Sequence, residues 1–137
     1  MKTPLFKPQT EWIPPTDFPD LRKYDEIAID LETKDPNLNE RMGSGSVVGV
    51  GDVVGISLAT HDWCAYYPIA HEGGGNMDRK MVLSWLQDQL RTDSTKIFHN
   101  AMYDVCWLRA LGLQINGQIV DTMIAASLID ENRYRYD

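Results

Sequence analysis

The chain has 137 residues, of which 43% are hydrophobic and 24% charged, and its formal net charge is −7. This composition is typical of one folded globular domain and excludes disordered and fibrous classes. The net negative charge also excludes a broad basic surface for binding a polyanion such as a nucleic acid. If the chain binds nucleic acid, bound cations or a neighbouring basic domain would have to supply the positive charge.

The first 23 residues are rich in proline, and we expect an extended arm or a packed irregular lead-in there, followed by a domain over residues 24–137. No apolar run approaches the roughly 18 residues that a membrane span needs, and the N-terminus lacks a signal-peptide apolar region. The sequence therefore predicts no membrane association and a cytoplasmic location.

The first predicted strand carries two acids on one face. Residues 26–31 alternate, with Ile29 and Leu31 on one face and Asp30 and Glu32 on the other. Two carboxylates spaced in this way can share a divalent cation, which relieves their mutual repulsion. A strand end whose acids simply face water is the alternative.

The middle of the chain alternates between loops and regular elements. Residues 34–51 are rich in Asp, Pro, Asn and Gly, which predicts a long loop beside the two acids. Strands are predicted over residues 53–59 and 63–69, and the short turn between them favours antiparallel pairing. Asp78 is a suitable N-cap for a helix that reaches Leu90.

A third acid lies near the start of the next predicted helix. After a short strand over residues 96–99, Asn100 is predicted to cap a helix whose apolar residues recur at helical spacing as far as Leu111. Asp104 lies near the core-facing edge of that helix, where a carboxylate is half-buried. A half-buried acid at this position indicates that the carboxylate binds another group. A solvated Asp that favours the positive end of its helix is the alternative.

The end of the chain completes the fold class. A short strand over residues 118–120 leads to Asp121, a suitable cap for a helix over residues 122–129. The order of elements predicts an α/β fold with a mixed sheet and helices on its faces. Cys64 and Cys106 lie far apart in apolar surroundings, which predicts reduced core thiols and no structural metal.

The acids form two motifs in a recognisable order. Asp30 and Glu32 in Asp-x-Glu, followed by Asn100 and Asp104 in Asn-x-x-x-Asp, resemble the first two motifs of the DEDD exonuclease superfamily. The chain is most similar to the 3′–5′ proofreading exonuclease domain of family A DNA polymerases, particularly phage-type ones, over about residues 24–129. The resemblance implies a ribonuclease H-like mixed sheet of about five strands, the first three antiparallel, with helices on its faces.

The resemblance also implies two-metal-ion phosphodiester hydrolysis that releases nucleotides from the 3′ end of single-stranded DNA. The metal-binding and catalytic acids would be Asp30, Glu32 and Asp104. The substrate-binding residues would be Thr33, Asn100 and Tyr103. Two Mg²⁺ or Mn²⁺ ions would occupy the complete site, and a polymerase domain would lie in the same or a companion chain.

The chain departs from the family at its third motif, a Tyr or His followed by Asp four residues later. That motif lies tens of residues beyond the Asp-Thr-Met helix start, and the run from Tyr134 to Asp137 comes too soon and has the wrong spacing. We therefore expect a C-terminally truncated, N-terminal fragment of a longer polymerase, in the host cytoplasm if phage-encoded. Weak metal binding and little or no nuclease activity should follow.

Two other functions stay open at this point. One is a non-catalytic nucleic-acid-binding or scaffolding module that keeps the fold without completing the site, although the acidic balance argues against it. The other is an exoribonuclease of the RNase D kind, built on the same fold. DNA affinity without metal would favour the first, and a comparison of RNA with DNA substrates would separate the second from proofreading.

Overall fold

A computed structural model describes residues 12–40 and 43–132 of the chain. Within these residues five strands form one sheet: β1 (Glu26–Lys34), β2 (Asp52–Ala59), β3 (Cys64–Pro68), β4 (Thr95–Phe98) and β5 (Ile119–Asp121). The helices of the same residues are α1 (Gly45–Val48), α2 (Arg79–Leu90), α3 (Ala101–Ala110) and α4 (Thr122–Ile129). The short α1 lies inside the stretch predicted as a loop.

The sheet is mixed, with the strand order β3-β2-β1-β4-β5. β1 pairs with β2 and β2 with β3 in antiparallel fashion, whereas β1–β4 and β4–β5 are parallel. The prediction of about five strands with the first three antiparallel is therefore confirmed. Since α2 and α3 make the two crossovers to parallel neighbours, the carboxyl ends of β1 and β4 meet at one edge of the sheet.

The core lies on one face of this sheet. Ile27 and Ile29 of β1 are buried, as the period-2 pattern predicts, and belong to one cluster with Leu86 of α2 and Leu108 of α3. The opposite face carries small and polar residues beside a cavity of about 720 Å³, to which Asp30 contributes. The acids of β1 thus lie on the more open side.

The lead-in packs where the structure describes it. Phe18 stacks on Tyr67 with ring centroids 5.8 Å apart, and the indole N–H of Trp85 donates to the carbonyl of Pro19 at 2.8 Å. Burial of Tyr67, with a smaller contribution from the charge of Asp17, raises the pKa of its hydroxyl to about 12. Of the two predicted alternatives, residues 17–21 follow the packed one, while residues 1–11 lie outside the described part of the chain.

The structure also bears on the predictions for the two cysteines and for a membrane span. Cys64 is exposed and Cys106 only partly buried, both as free thiols, so the prediction of a core thiol is wrong for Cys64. Cys64 begins β3, the edge strand, and lines the open face of the sheet. Within the described residues, no helix is long and apolar enough to cross a membrane. The stretch from Tyr134 to Asp137 lies outside these residues.

Candidate active site

Asp30 and Glu32 lie on the same side of β1, and both are exposed. Buried residues alternate with them along the strand, so the acids project away from the core as the sequence predicts. The pairing of β1 with β2 shifts register between Glu32 and Thr33. A bulge of this kind re-aims the side chain that follows it, here that of Thr33.

Asp104 occupies the first turn of α3 and is 3% exposed. Burial raises the pKa of its carboxyl to about 7, with further contributions from the negative charges of Asp30 and Asp121. Among the described residues no side chain or backbone group donates a hydrogen bond to this carboxyl, and no cation pairs with it. Asp104 and Asp30 are therefore close enough to repel each other, and no cation of the described residues offsets the charge of Asp104.

Glu32 does not join the other two acids in a compact group. Within residues 12–40 and 43–132, no set of three or more His, Cys, Asp or Glu side chains is arranged to hold a metal ion. The charge of Glu32 acts on Tyr66, whose hydroxyl pKa is raised by burial first and by Glu32 second. The Glu32 side chain is exposed to solvent.

The start of α3 is held differently from the prediction. Asn100 does not cap the helix with its side chain, and its backbone is left-handed, with φ 67°. The carboxylate of Asp121 caps it instead, accepting from the backbone N–H of Asn100 at 3.0 Å and of Ala101 at 2.8 Å. The predicted capping of α4 by Asp121 is confirmed by its bond from Met123 N–H at 2.9 Å. The exposed Asn100 side chain is left available for another role.

Thr33 and Tyr103, two of the predicted substrate-binding residues, contact each other directly. The Thr33 Oγ1 and Tyr103 Oη atoms lie 2.8 Å apart, and the Tyr103 hydroxyl also donates to Asp35 Oδ2 at 3.0 Å. Burial raises the pKa of Tyr103, and the negative charge of Asp35 adds to this effect, while the Thr33 contact opposes it. Tyr103 precedes Asp104 on α3, so this contact joins β1 to the helix that carries the third acid.

A second pair of polar side chains flanks Glu32 on the other side. The Tyr66 hydroxyl is hydrogen-bonded to Nε2 of His71. Tyr66 lies over Gly55, where an added Cβ would come within 1.8 Å of the Tyr66 hydroxyl oxygen. Gly55 is the cross-strand partner of Glu32 in the β1–β2 pairing. The absence of a side chain at Gly55 thus allows an ordered Tyr–His pair to lie beside the acid.

Comparison with known proteins assigns this arrangement to a family. A sequence profile described as 3′–5′ exonuclease matches residues 18–137, which include every element of the sheet. The chain belongs to the 3′–5′ exonuclease family of family A DNA polymerases. The match also confirms the resemblance inferred from the two acidic motifs.

Named relatives of this exonuclease domain are DNA polymerases. The chain is 32% identical over 139 residues to a DNA-directed DNA polymerase of Pseudomonas phage M6, which covers 96% of this chain and 21% of that protein. It is 31% identical over 121 residues to DNA polymerase DpoZ of an Acinetobacter phage, covering 88% of this chain and 17% of that protein. The chain thus spans about a fifth of the length of these relatives.

Solved structures share the fold of the exonuclease domain. NrnC of Brucella melitensis with bound Mg²⁺ aligns with a TM-score of 0.57 at 22% identity, over 86% of this chain and 51% of that one. The POL domain of Pol1 from M. smegmatis, in complex with DNA primer-template and dNTP, aligns with a TM-score of 0.57 at 13% identity, over 85% of this chain and 18% of that one. These likenesses confirm the ribonuclease H-like fold.

Sequence reasoning missed the contacts of Asp35, Tyr66 and His71, which lie beside the predicted site residues. Asp35 had one local signal, because an Asp whose side chain accepts the N–H two residues later is common in turns. That bond is present, from Asn37 N–H to Asp35 Oδ1 at 2.9 Å. Its bond to Tyr103 and the Tyr66–His71 pair depend on how the loops fold back, for which the sequence carries no periodic signal.

Proposed function

We propose that this chain is the exonuclease domain of a DNA polymerase that hydrolyses the terminal phosphodiester at the 3′ end of single-stranded DNA. Membership of the family and the relatives named as DNA polymerases support this activity. A polymerase domain in the same or a companion chain is part of the proposal, as is work in the cytoplasm where the DNA is replicated. The chain's own net charge of −7 requires that cations or that partner domain offset repulsion from the substrate.

The proposal depends on one observation, the buried carboxyl of Asp104 beside the charge of Asp30. A nearly buried carboxylate without a protein hydrogen-bond donor or cation is unfavourable, because its charged form has lost most of its hydration. Burying such a group next to a second acid therefore suits a site that receives a positive ion. Oxygen ligands of this hard type suit Mg²⁺ and Mn²⁺.

The roles of the side chains follow from where they lie. Asp30 and Asp104 would hold the cation between them, and the exposed side chain of Glu32 would rotate to complete the set. When bound, divalent ions neutralise charge on the phosphate and activate water for hydrolysis. The side chains proposed to orient the terminal nucleotide beside these acids are Thr33, Asn100 and Tyr103.

Metal binding tests the acid assignments directly. We expect the chain to bind Mn²⁺ weakly by electron paramagnetic resonance or calorimetry, and Asp30→Asn and Asp104→Asn to reduce the affinity at least about tenfold. Asp25→Asn and Glu26→Gln are matched controls, because both side chains are exposed at the opposite end of β1. Equal Mn²⁺ affinity in all four variants would contradict the proposal.

Nuclease assays test the substrate. A 5′-labelled single-stranded DNA incubated with Mn²⁺ should be shortened from its 3′ end, slowly in this chain and not at all in Asp30→Asn. The exoribonuclease alternative, built on the same fold, makes RNA the second candidate substrate. The same assay is therefore run with a labelled RNA of identical sequence. Faster Asp30-dependent shortening of RNA would replace proofreading with exoribonuclease activity, and metal-independent DNA binding without cleavage would favour a scaffolding module.

A further inference from the structure

We propose that Asp35 is a positioning residue of the exonuclease site, which acts through Tyr103 to fix the Thr33 hydroxyl as a hydrogen-bond acceptor toward the bound nucleotide. The inference rests on the proposed function and adds to it a residue and a hydrogen-bond direction. It follows from how Asp35 divides its two carboxylate oxygens between two sets of donors.

The first oxygen of Asp35 organises the loop between β1 and β2. Oδ1 accepts from the backbone N–H of Asn37 at 2.9 Å and of Gly45 at 2.8 Å. Gly45 is buried, and an added Cβ there would come within 2.2 Å of the Val50 carbonyl oxygen and 2.7 Å of Asp35 Oδ1. The loop is thus folded tightly around this oxygen, and the carboxylate cannot turn without losing both bonds.

The second oxygen of Asp35 determines the direction of a chain of hydroxyl groups. Oδ2 accepts from the Tyr103 hydroxyl at 3.0 Å, and that hydroxyl lies 2.8 Å from Thr33 Oγ1. A tyrosine hydroxyl carries one proton, and here it is donated to the carboxylate. Thr33 must therefore donate its own proton to Tyr103, so only lone pairs of Oγ1 remain for a ligand.

Because the Thr33 hydroxyl donates to Tyr103, Thr33 can only accept hydrogen bonds from a ligand. A group that can only accept hydrogen bonds, such as a phosphate oxygen, gains nothing from Thr33 Oγ1. A group that can donate, such as a sugar hydroxyl, gains a hydrogen bond. Thr33 immediately follows Glu32 and the bulge, so its hydroxyl lies at the edge of the acidic site. The arrangement therefore favours nucleotides that present a hydroxyl at this position.

The substitution Asp35→Asn separates the two roles. The backbone N–H groups of Asn37 and Gly45 need an acceptor, so the amide oxygen of the new side chain would take the place of Oδ1 and its NH₂ would face Tyr103. That NH₂ donates, so Tyr103 would then donate to Thr33, and Thr33 would be free to donate to a ligand. Asp35→Asn thus keeps every contact and reverses the hydroxyl chain.

The test measures binding of thymidine 5′-monophosphate and its 3′-deoxy analogue to the chain with Mg²⁺, by calorimetry or NMR titration. We expect wild type to prefer the 3′-hydroxyl form by about tenfold, the effect of one good hydrogen bond. Asp35→Asn and Tyr103→Phe should each reduce that preference to about twofold or less, and the double variant should reduce it no further, because both act through one chain of bonds. Melting temperatures identify any variant that fails to fold.

The chain offers a matched control pair at the other end of the sheet. The Tyr24 hydroxyl donates to Asp62 Oδ1 at 2.7 Å, a hydrogen bond of the same chemistry between residues that are not predicted to bind the nucleotide. Asp62→Asn and Tyr24→Phe should leave the nucleotide preference at the wild-type value. A purely structural Asp35 would lower affinity for both nucleotides equally, and that result, or additive effects of Asp35→Asn and Tyr103→Phe, would overturn the inference.

Failure of the proposed function is recognisable in the same experiment. If Asp30→Asn binds both nucleotides as tightly as wild type does, or wild type binds neither, the acids are not the site and the inference is overturned with the function. If binding depends on Asp30 while Asp35→Asn keeps the full preference for the 3′-hydroxyl, only the role of Asp35 is refuted.

Discussion

Asp121 accepts a hydrogen bond from the backbone N–H of Ala101 at 2.8 Å, which fixes the start of α3 to the end of β5. The same carboxylate accepts from Met123 N–H at the start of α4. Burial raises the pKa of Asp121, but these backbone donors outweigh it and hold the pKa below its ordinary value. One side chain thus accepts hydrogen bonds from backbone N–H groups at the starts of two helices, including the helix whose first turn carries Asp104.

Replacing Asp121 with Ala should therefore cost more than the loss of an ordinary cap. We expect the free energy of unfolding to fall by about 2–3 kcal/mol, against the typical 1 kcal/mol for one N-cap. Asp78→Ala is the matched control, because Asp78 caps only α2, through Met81 N–H at 2.9 Å. Urea denaturation compares the two variants, and equal losses would show that the second cap contributes nothing.

Gly55→Ala should disturb the side chains next to Glu32. The new Cβ would lie 1.8 Å from the Tyr66 hydroxyl oxygen and 2.3 Å from the ring carbon that carries it, so Tyr66 must move and its bond to His71 must break. We expect a loss of about 1–3 kcal/mol in unfolding free energy, as for other overpacked sites. Thermal or urea unfolding measures it.

Two further variants define the cause of that loss. Gly73→Ala is the control, because no atom of the described residues lies within 4 Å of a Cβ there, and its stability should match wild type. Combining Gly55→Ala with Tyr66→Ala should cost less than the sum of the single changes, since the clash is then gone. Strict additivity of the two would rule out the clash as the cause.

The strands and two of the three caps could be predicted because their signals are local. Period-2 alternation assigns Asp30 and Glu32 to one face of β1, and Asp78 and Asp121 precede apolar helical repeats. The left-handed backbone of Asn100 could not be predicted, since its N–H is taken by a carboxylate 21 residues further along the chain.

The network around Asp35 was equally inaccessible to sequence reasoning. Its bond from Tyr103 spans 68 residues and requires both the path of the β1–β2 loop and the rotation of α3 about its axis. Motif spacing predicts which acids form the site, but it does not reveal which neighbouring side chains contact the predicted site residues. Motif spacing likewise does not reveal that, among the described residues, Glu32 forms no compact metal-binding group with Asp30 and Asp104.

Two substitutions at Asn100 should separate its backbone from its side chain. The residue has φ 67°, so Asn100→Gly keeps the conformation at little cost, whereas Asn100→Ala strains it by about 1–2 kcal/mol. We expect only Asn100→Ala to lower the melting temperature, and both variants to weaken nucleotide binding if the amide holds the nucleotide. Gly112→Ala, with φ +81° at the other end of α3, controls for strain alone. Unweakened binding in Asn100→Gly would exclude a substrate contact by the amide.

Asp104 should make the stability of the chain fall as pH rises. Its carboxyl has an ordinary pKa of 3.8 in the unfolded chain and a pKa of about 7 in the folded one, so the folded state binds more protons between these values. The free energy of unfolding therefore decreases from about pH 4 to pH 7, by up to a few kcal/mol at about 1.4 kcal/mol per pKa unit. Asp104→Asn should remove this slope and be more stable than wild type at pH 8, yet bind Mn²⁺ more weakly. Urea denaturation between pH 4 and pH 8 measures the slope, with Asp88→Asn, at an exposed position, as the control. An identical slope in Asp104→Asn would show that another group titrates.

Added Mn²⁺ should stabilise wild type more at pH 8 than at pH 5, because the ion competes with the proton for the Asp104 carboxylate.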